Sequence, residues 1–199
     1  MKGKVKISTL AEFDEDNMEH GKYYAFFHRP RHQALPPRWY ERLLGSATRS
    51  VDIWDPYFNY NTNYDDNDCR IFRHLKNSVK LRYLKVEDDG KFEGKVSTWE
   101  PVIANMISPA LKPGMDVVFA YISSNTDYGA KWEFHDRFLI IDEERFFLVG
   151  SSVGYHLSSK ASTGIFELTE DEDKSLVKDL FDMYWDFARK QKHLKKIAL

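Results

Sequence analysis

The sequence has 199 residues, of which 42% are hydrophobic, 15% aromatic and 30% charged, and this length and composition suit one folded domain around one core. The net charge of −2 excludes a protein-wide basic field for nucleic acid or anionic membranes, so a phosphate-bearing partner has to be bound locally. The one cysteine, Cys69, excludes an intramolecular disulfide and a cysteine-based zinc site. Without a signal-like amino terminus or an apolar run of about 20 residues, we expect a cytoplasmic protein with no transmembrane segment.

Helix and strand patterns alternate along the chain. A helix is predicted from Pro37, because Trp39, Leu43 and Ala47 lie four residues apart and proline suits a first turn. A short helix is predicted around 69–75 and a longer one at 97–111. Strands are predicted from runs of apolar and β-branched residues at 23–28, 51–54, 79–86, 116–122, 133–142, 145–150 and 164–169.

The last predicted helix begins at a capping-box pattern formed by Thr169 and Glu172. Its charges run from Asp171 and Asp173 at the start to basic residues at the end, which is favourable at each end of the helix dipole. The basic residues are Lys190, Lys192, Lys195 and Lys196. An apolar stripe predicts that this helix covers a sheet, although such a stripe can also join a dimer. The stripe consists of Leu176, Leu180, Tyr184 and Phe187.

This order of elements predicts an α/β fold with a mixed, mostly parallel sheet flanked by helices. We expect a single domain over residues 1–199, with an N-terminal extension and edge strand at 1–35 and a core at 37–190. Ligands of such sheets bind at the strand ends and at the loops that leave them. The candidate site is therefore sought there.

The segment FHDRFLIID places His135 and Arg137 two residues apart on a predicted strand, so their side chains point to one face. Histidine is a nucleophile or acid near neutral pH, and arginine binds phosphate oxygens with a planar fork. Asp142 follows at a turn, where its carboxylate can steady an imidazole or the turn itself. The alternative interpretation is a polar network inside the fold.

The pattern H-x-R-x4-D, followed by a hairpin and then Gly150 with Ser151, resembles the H-x-K-x4-D and G-S signature of the phospholipase D superfamily. The upstream segment VDIWDPYF, residues 51–58, looks like the first sheet strand of that superfamily and its exit loop. The resemblance covers roughly residues 37–190. It implies a phospholipase D-like half-domain.

The resemblance also implies a metal-independent reaction with no cofactor, in which a histidine attacks phosphorus and a second histidine protonates the leaving group. By position, His135 would be the nucleophile or the acid, Arg137 the phosphate clamp and Asp142 a supporting carboxylate. Ser151 or Ser152 would donate hydrogen bonds to phosphate. Because the chain carries one such motif, two chains would pair as a homodimer. Short members with one motif resemble nucleic-acid hydrolases more than lipases, which implies a nuclease.

Two departures favour a second class of function. Arg137 replaces the usual lysine, and Val153 stands where an asparagine is expected. The H-D-R triplet is also similar to the phospholipase D-like domain at the carboxyl end of MIT-domain proteins, which implies binding without hydrolysis. The alternative is therefore an inactive domain that recognises phosphate groups of phospholipid headgroups or of nucleic acid.

Asp55 and Tyr57 follow the strand at 51–54 and are candidate supporting residues. If the sheet is parallel at this strand, they can reach the same pocket, where Asp55 can orient His135. An aspartate before a proline also commonly starts a turn, so a purely structural role stays open for Asp55.

Overall fold

One eight-stranded sheet runs through the part of the chain that the structure, a computed structural model, describes: residues 24–27, 35–56, 70–87, 110–123, 136–150 and 163–197. Its strands are β1 (Tyr24–Phe27), β2 (Ser50–Trp54), β3 (Lys80–Glu87), β4 (Val117–Ser123), β5 (Arg137–Ile141), β6 (Arg145–Val149), β7 (Thr163–Leu168) and β8 (Leu194–Ile197). The described helices are α1 (Leu35–Ser46), α2 (Asp171–Lys190) and a 3₁₀ helix at Arg70–His74. The predicted helix at 97–111 lies almost wholly outside the described residues.

The strand order is β1-β7-β6-β5-β2-β3-β4-β8. This arrangement confirms an α/β fold with a mixed sheet flanked by helices. The expectation of mostly parallel strands is wrong, because only β2 with β3 and β3 with β4 pair in parallel, and the other neighbours pair antiparallel. Parallel neighbours need long crossover connections, whereas β5 and β6 are joined by a tight hairpin.

The carboxyl end of the chain departs from the sequence prediction. Of the lysines expected at the end of the last helix, Lys190 is its last residue. Lys192 lies beyond the helix, and Lys195 and Lys196 belong to β8, which pairs antiparallel with β4. Between the two elements Lys192 adopts a φ of 62°, which turns the chain back toward the sheet. At the other end of α2 the capping box does not form: Glu170 is the N-cap residue and makes no side-chain capping bond.

The two faces of the sheet bury separate cores. Leu43 and Leu44 of α1 pack on one face against residues such as Ile53 and Leu139. On the other face α2 covers the strands, as expected, although its buried stripe is shifted from the predicted one. The buried residues of α2 are Val177, Phe181, Tyr184, Trp185 and Ala188, whereas Leu176 is 59% exposed. Within the described ranges, no helix combines the length and apolar character needed to cross a bilayer.

Candidate active site

The register between β2 and β5 brings Asp55 and Arg137 together. Trp54 pairs with Phe138 across these antiparallel strands, so the next residue of β2 and the preceding residue of β5 are neighbours. Arg137 Nε lies 3.6 Å from Asp55 Oδ1, with the aspartate side chain fully buried and the arginine side chain 19% exposed. From the sequence, Asp55 is expected to reach the pocket if the sheet is parallel at this strand. β2 does pair in parallel with β3, but the contact with Arg137 comes through the antiparallel pairing with β5. The carboxyl end of β2 meets the amino end of β5 because the pairing is antiparallel.

Two buried tyrosines lie near the Asp55 carboxylate. The Tyr83 hydroxyl donates a hydrogen bond of 3.3 Å to Asp55 Oδ2, and the fully buried Tyr40 projects from α1 into the same region. Burial and then the Asp55 charge raise the pKa of the Tyr40 hydroxyl well above its ordinary value, while the Arg137 charge lowers it in part. The Tyr40 hydroxyl therefore stays protonated and neutral near the ion pair.

A third charge completes this arrangement. Trp54 also pairs with Leu84 in the parallel neighbour β3, and the Asp55 amide donates to the Leu84 carbonyl at 2.9 Å. The next residue of β3 is Lys85, which alternation places on the same face as Tyr83 and which is only 6% exposed. Arg137, Asp55 and Lys85 thus stand side by side on three adjacent strands. We call these three residues the charged row.

Lys85 is not among the site residues predicted from the sequence, although its position in the strand pattern is a signal. In the strand predicted at 79–86, Val79, Leu81 and Tyr83 occupy the inward positions, and Lys85 continues that alternation. A lysine at an inward position of a strand is unusual, since charged residues are rarely buried without a partner. The pattern therefore marked Lys85 as a residue with a polar neighbour inside the sheet.

Asp142 lies at the opposite end of β5 from Arg137, about 16 Å away along an extended strand. Its carboxylate accepts hydrogen bonds from the amides of Thr48 at 2.9 Å, Arg49 at 2.7 Å and Ser50 at 2.9 Å, and from the Thr48 hydroxyl at 2.8 Å. Burial raises the pKa of Asp142, but the bonds from Ser50, Arg49 and Thr48 outweigh it, so the pKa is lowered. The structure does not bring Asp142 to Arg137; it places this carboxylate on the turn before β2.

Four of the predicted site residues, His135, Tyr57, Ser151 and Ser152, lie outside the described residues. Two described residues, Arg137 and Gly150, are near His135 and Ser151 in the sequence. Arg137, two residues after His135, donates through Nη1 to the carbonyl of Gly150 at 3.4 Å, and Gly150 directly precedes Ser151. Among the residues that the structure does describe, no three histidine, cysteine or acidic side chains are grouped as metal ligands.

A second ion pair, between Asp52 and Arg82, lies on the face of the sheet that α2 covers. Asp52 of β2 accepts a bond of 2.7 Å from Nε of Arg82. The guanidinium also contacts Asp182 of α2 at 3.3 Å and lies 4.9 Å from the ring centroid of Phe181. This pair joins the sheet to α2, whereas Asp55 and Arg137 lie on the α1 face. Asp52 in β2 and Asp55 directly after it therefore bind arginines on opposite faces of the sheet.

No family model and no curated protein matches the sequence, but solved structures share the fold. NucT from Helicobacter pylori is similar over 83% of this chain and 97% of its own, with a TM-score of 0.54 and 14% identity. Nuc from Salmonella typhimurium, a phospholipase D family member, is similar over 90% of this chain and 100% of its own, with a TM-score of 0.53 and 13% identity. The archaeal chromatin protein TrmBL2 gives a TM-score of 0.46 at 14% identity; the match covers 93% of this chain and 57% of TrmBL2. The two fuller matches confirm the fold expected from the sequence.

Proposed function

Because the chain has the fold of the phospholipase D superfamily, we propose that it is a metal-independent phosphodiesterase that cleaves nucleic acid as a homodimer. The observation that carries the proposal is the charged row, in which Asp55 and Lys85 are buried and Arg137 is partly exposed. It places Arg137 of the H-x-R motif at the ends of β2 and β3, which is where sheets of this class bind ligands. With two cationic residues and one carboxylate, the row carries a formal charge of +1, which suits a phosphodiester anion.

In the proposed reaction an imidazole nitrogen of His135 bonds to phosphorus, and the P–O bond to the leaving group breaks. The matching histidine of the second chain gives its proton to the leaving oxygen. In the next step that histidine takes a proton from water, the water oxygen bonds to phosphorus, and the P–N bond breaks. Arg137 binds the non-bridging oxygens throughout, and Ser151 or Ser152 donates a hydrogen bond to them.

The homodimer follows from the chemistry of this reaction. Each chain has one H-x-R motif, at His135 and Arg137, whereas the reaction uses two histidines on opposite sides of one phosphorus. A two-fold axis supplies the second histidine from an identical chain. The nuclease assignment, rather than a lipase, rests on the resemblance to short superfamily members with a single motif.

A second candidate function is phosphate recognition without cleavage, for lipid headgroups or nucleic acid. The contact between Arg137 and Asp55 favours this candidate, because an arginine held in place by a carboxylate can bind a phosphate without a nucleophile. The two candidates differ most in what they demand of His135. A covalent nucleophile is indispensable for cleavage, whereas a neutral imidazole adds little to the binding of an anion.

Two alanine variants separate the candidates. His135→Ala should lower the rate of cleavage of DNA, RNA and bis(p-nitrophenyl) phosphate by about a thousandfold or more. The variant should still bind these substrates. Arg137→Ala should weaken binding more than His135→Ala does, because the guanidinium is permanently charged. His74→Ala is the matched control, since His74 is exposed beside Glu41 of α1. A wild-type protein that binds these substrates but cleaves none of them supports recognition without cleavage. If neither alanine variant changes cleavage or binding, His135 and Arg137 do not form the site.

A further inference from the structure

We propose that Asp55 is a positioning residue for Arg137 and that this carboxylate makes arginine, rather than lysine, the cation that functions at position 137. The inference rests on the proposed function, in that the anion bound by Arg137 is taken to be the phosphodiester. It assigns a role to a carboxylate that the reaction itself does not use. It also gives a physical reason for the departure from the H-x-K pattern.

The contact geometry indicates how Asp55 acts. The carboxylate approaches the guanidinium from its Nε side, with 3.6 Å between Nε and Oδ1. Nη1 lies on the other side of the group and reaches the Gly150 carbonyl at 3.4 Å. A guanidinium is planar and carries five N–H donors on distinct edges, so it can contact a carboxylate along one edge and an anion along another. At 3.6 Å this contact is an ion pair and not a hydrogen bond, and its charge attraction draws the Nε edge of the guanidinium toward Asp55.

A lysine at the same position would respond differently to Asp55. Its charge is concentrated on one nitrogen at the end of a flexible chain. A fully buried carboxylate is the strongest attraction for such a charge, because desolvated charges interact strongly. The ammonium would therefore sit on Asp55 and would be withdrawn from the phosphate. The carboxylate that orients an arginine would neutralise a lysine.

The rest of the row supports an orienting role over simple charge balance. Asp55 is also held by the Tyr83 hydroxyl, whose ring stacks on Phe119 of β4 with centroids 5.3 Å apart, so the carboxylate is anchored in the core. Lys85 on the other side of Asp55 adds a second positive charge to the row. A carboxylate that served only to lower the charge would weaken the binding of any anion. The weaker anion binding caused by the negative charge of Asp55 is offset because Asp55 orients Arg137 for the reaction.

The signs of the expected effects distinguish these roles in steady-state kinetics with bis(p-nitrophenyl) phosphate. In Asp55→Asn, loss of a negative charge should leave KM unchanged or lower, whereas loss of orientation should reduce kcat by about 10- to 100-fold. Arg137→Lys alone should also reduce kcat strongly. The double variant Asp55→Asn with Arg137→Lys should be about tenfold more active than Arg137→Lys alone, as expected for coupled residues in contact. If the reductions in kcat of the two single variants simply combine in the double variant, or if kcat is unchanged in Asp55→Asn, the inference is overturned.

Asp52→Asn is the matched control for structural damage. Asp52 lies in β2, three residues before Asp55, is buried to the same degree and pairs with an arginine through Nε, but it faces α2. It should lower the melting temperature without lowering kcat. If it reduces kcat as much as Asp55→Asn does, Asp55 has only a structural role. Should Asp55→Asn fail to fold, Asp55→Glu keeps the charge and displaces it, and an unchanged kcat in that variant overturns the inference.

A readout independent of cleavage separates this inference from the proposed function. The Nε–Hε resonance of Arg137 in nitrogen-15 NMR should shift and exchange faster with water in Asp55→Asn than in the wild type. An unchanged resonance contradicts positioning even if the enzyme is active. A wild-type protein that neither cleaves diesters nor binds tungstate contradicts the proposed function instead.

Discussion

Replacement of Asp142 by asparagine tests whether the last residue of the motif stabilises the fold or acts in the reaction. The carboxylate accepts bonds from three consecutive amides and one hydroxyl in the segment from Thr48 to Ser50. Asparagine keeps one acceptor oxygen and tolerates the φ of 56° that Asp142 adopts. The variant therefore removes the charge and about half of the acceptor capacity without straining the backbone.

The expected cost follows from these bonds. Loss of a hydrogen bond to a charged group costs about 1.5–3 kcal/mol, and the partly exposed position lets water replace some of what is lost. We expect the free energy of unfolding to fall by about 2–3 kcal/mol, which lowers the melting temperature by about 4–12 °C for a chain of this size. Urea denaturation and calorimetry measure both quantities. Glu144→Gln is the control, because its ion pair with Arg49 is exposed and should contribute less than about 1 kcal/mol.

The pH dependence of this difference has a defined sign. The hydrogen bonds lower the pKa of Asp142 in the folded protein, so the carboxylate stabilises the fold fully above its unfolded pKa of about 3.9. That stabilisation is lost as the pH falls through the folded pKa. The gap between wild type and Asp142→Asn should therefore be widest above about pH 4 and should narrow below it. If Asp142→Asn is as stable as the wild type but no longer cleaves substrate, Asp142 acts in the reaction and not in stabilising the fold.

Two further predictions concern the reaction and the assembly. Cleavage should survive EDTA and be inhibited by vanadate or tungstate, which imitate the phosphorus transition state; loss of activity on chelation with rescue by magnesium would contradict the proposed route. Sedimentation equilibrium should give at least a dimer at the concentrations at which cleavage is measured, because each chain has one His135. A strict monomer that is fully active would remove the need for a second histidine.

Local patterns were sufficient for most of the described elements. The strands at β2, β3 and β4 follow runs of apolar residues, and α1 follows a spacing of four residues from Pro37. These signals depend on periods of 2 and 3.6 residues, which the chain carries without its tertiary neighbours. The pattern at residues 194–197 misled, because lysines suit both the end of a helix and an edge strand, and only pairing with β4 distinguishes them.

The sequence by itself determined the α/β class, the resemblance to the phospholipase D superfamily and the candidate position of Arg137. Tertiary structure decided what surrounds that arginine. Asp55, Lys85 and Arg137 are far apart in sequence, and they meet because β2 pairs in parallel with β3 and antiparallel with β5 in one register. Strand β5 carries Asp142 to its opposite end, away from Arg137. Strand order and register depend on contacts between distant segments, so no local period encodes which charges become neighbours.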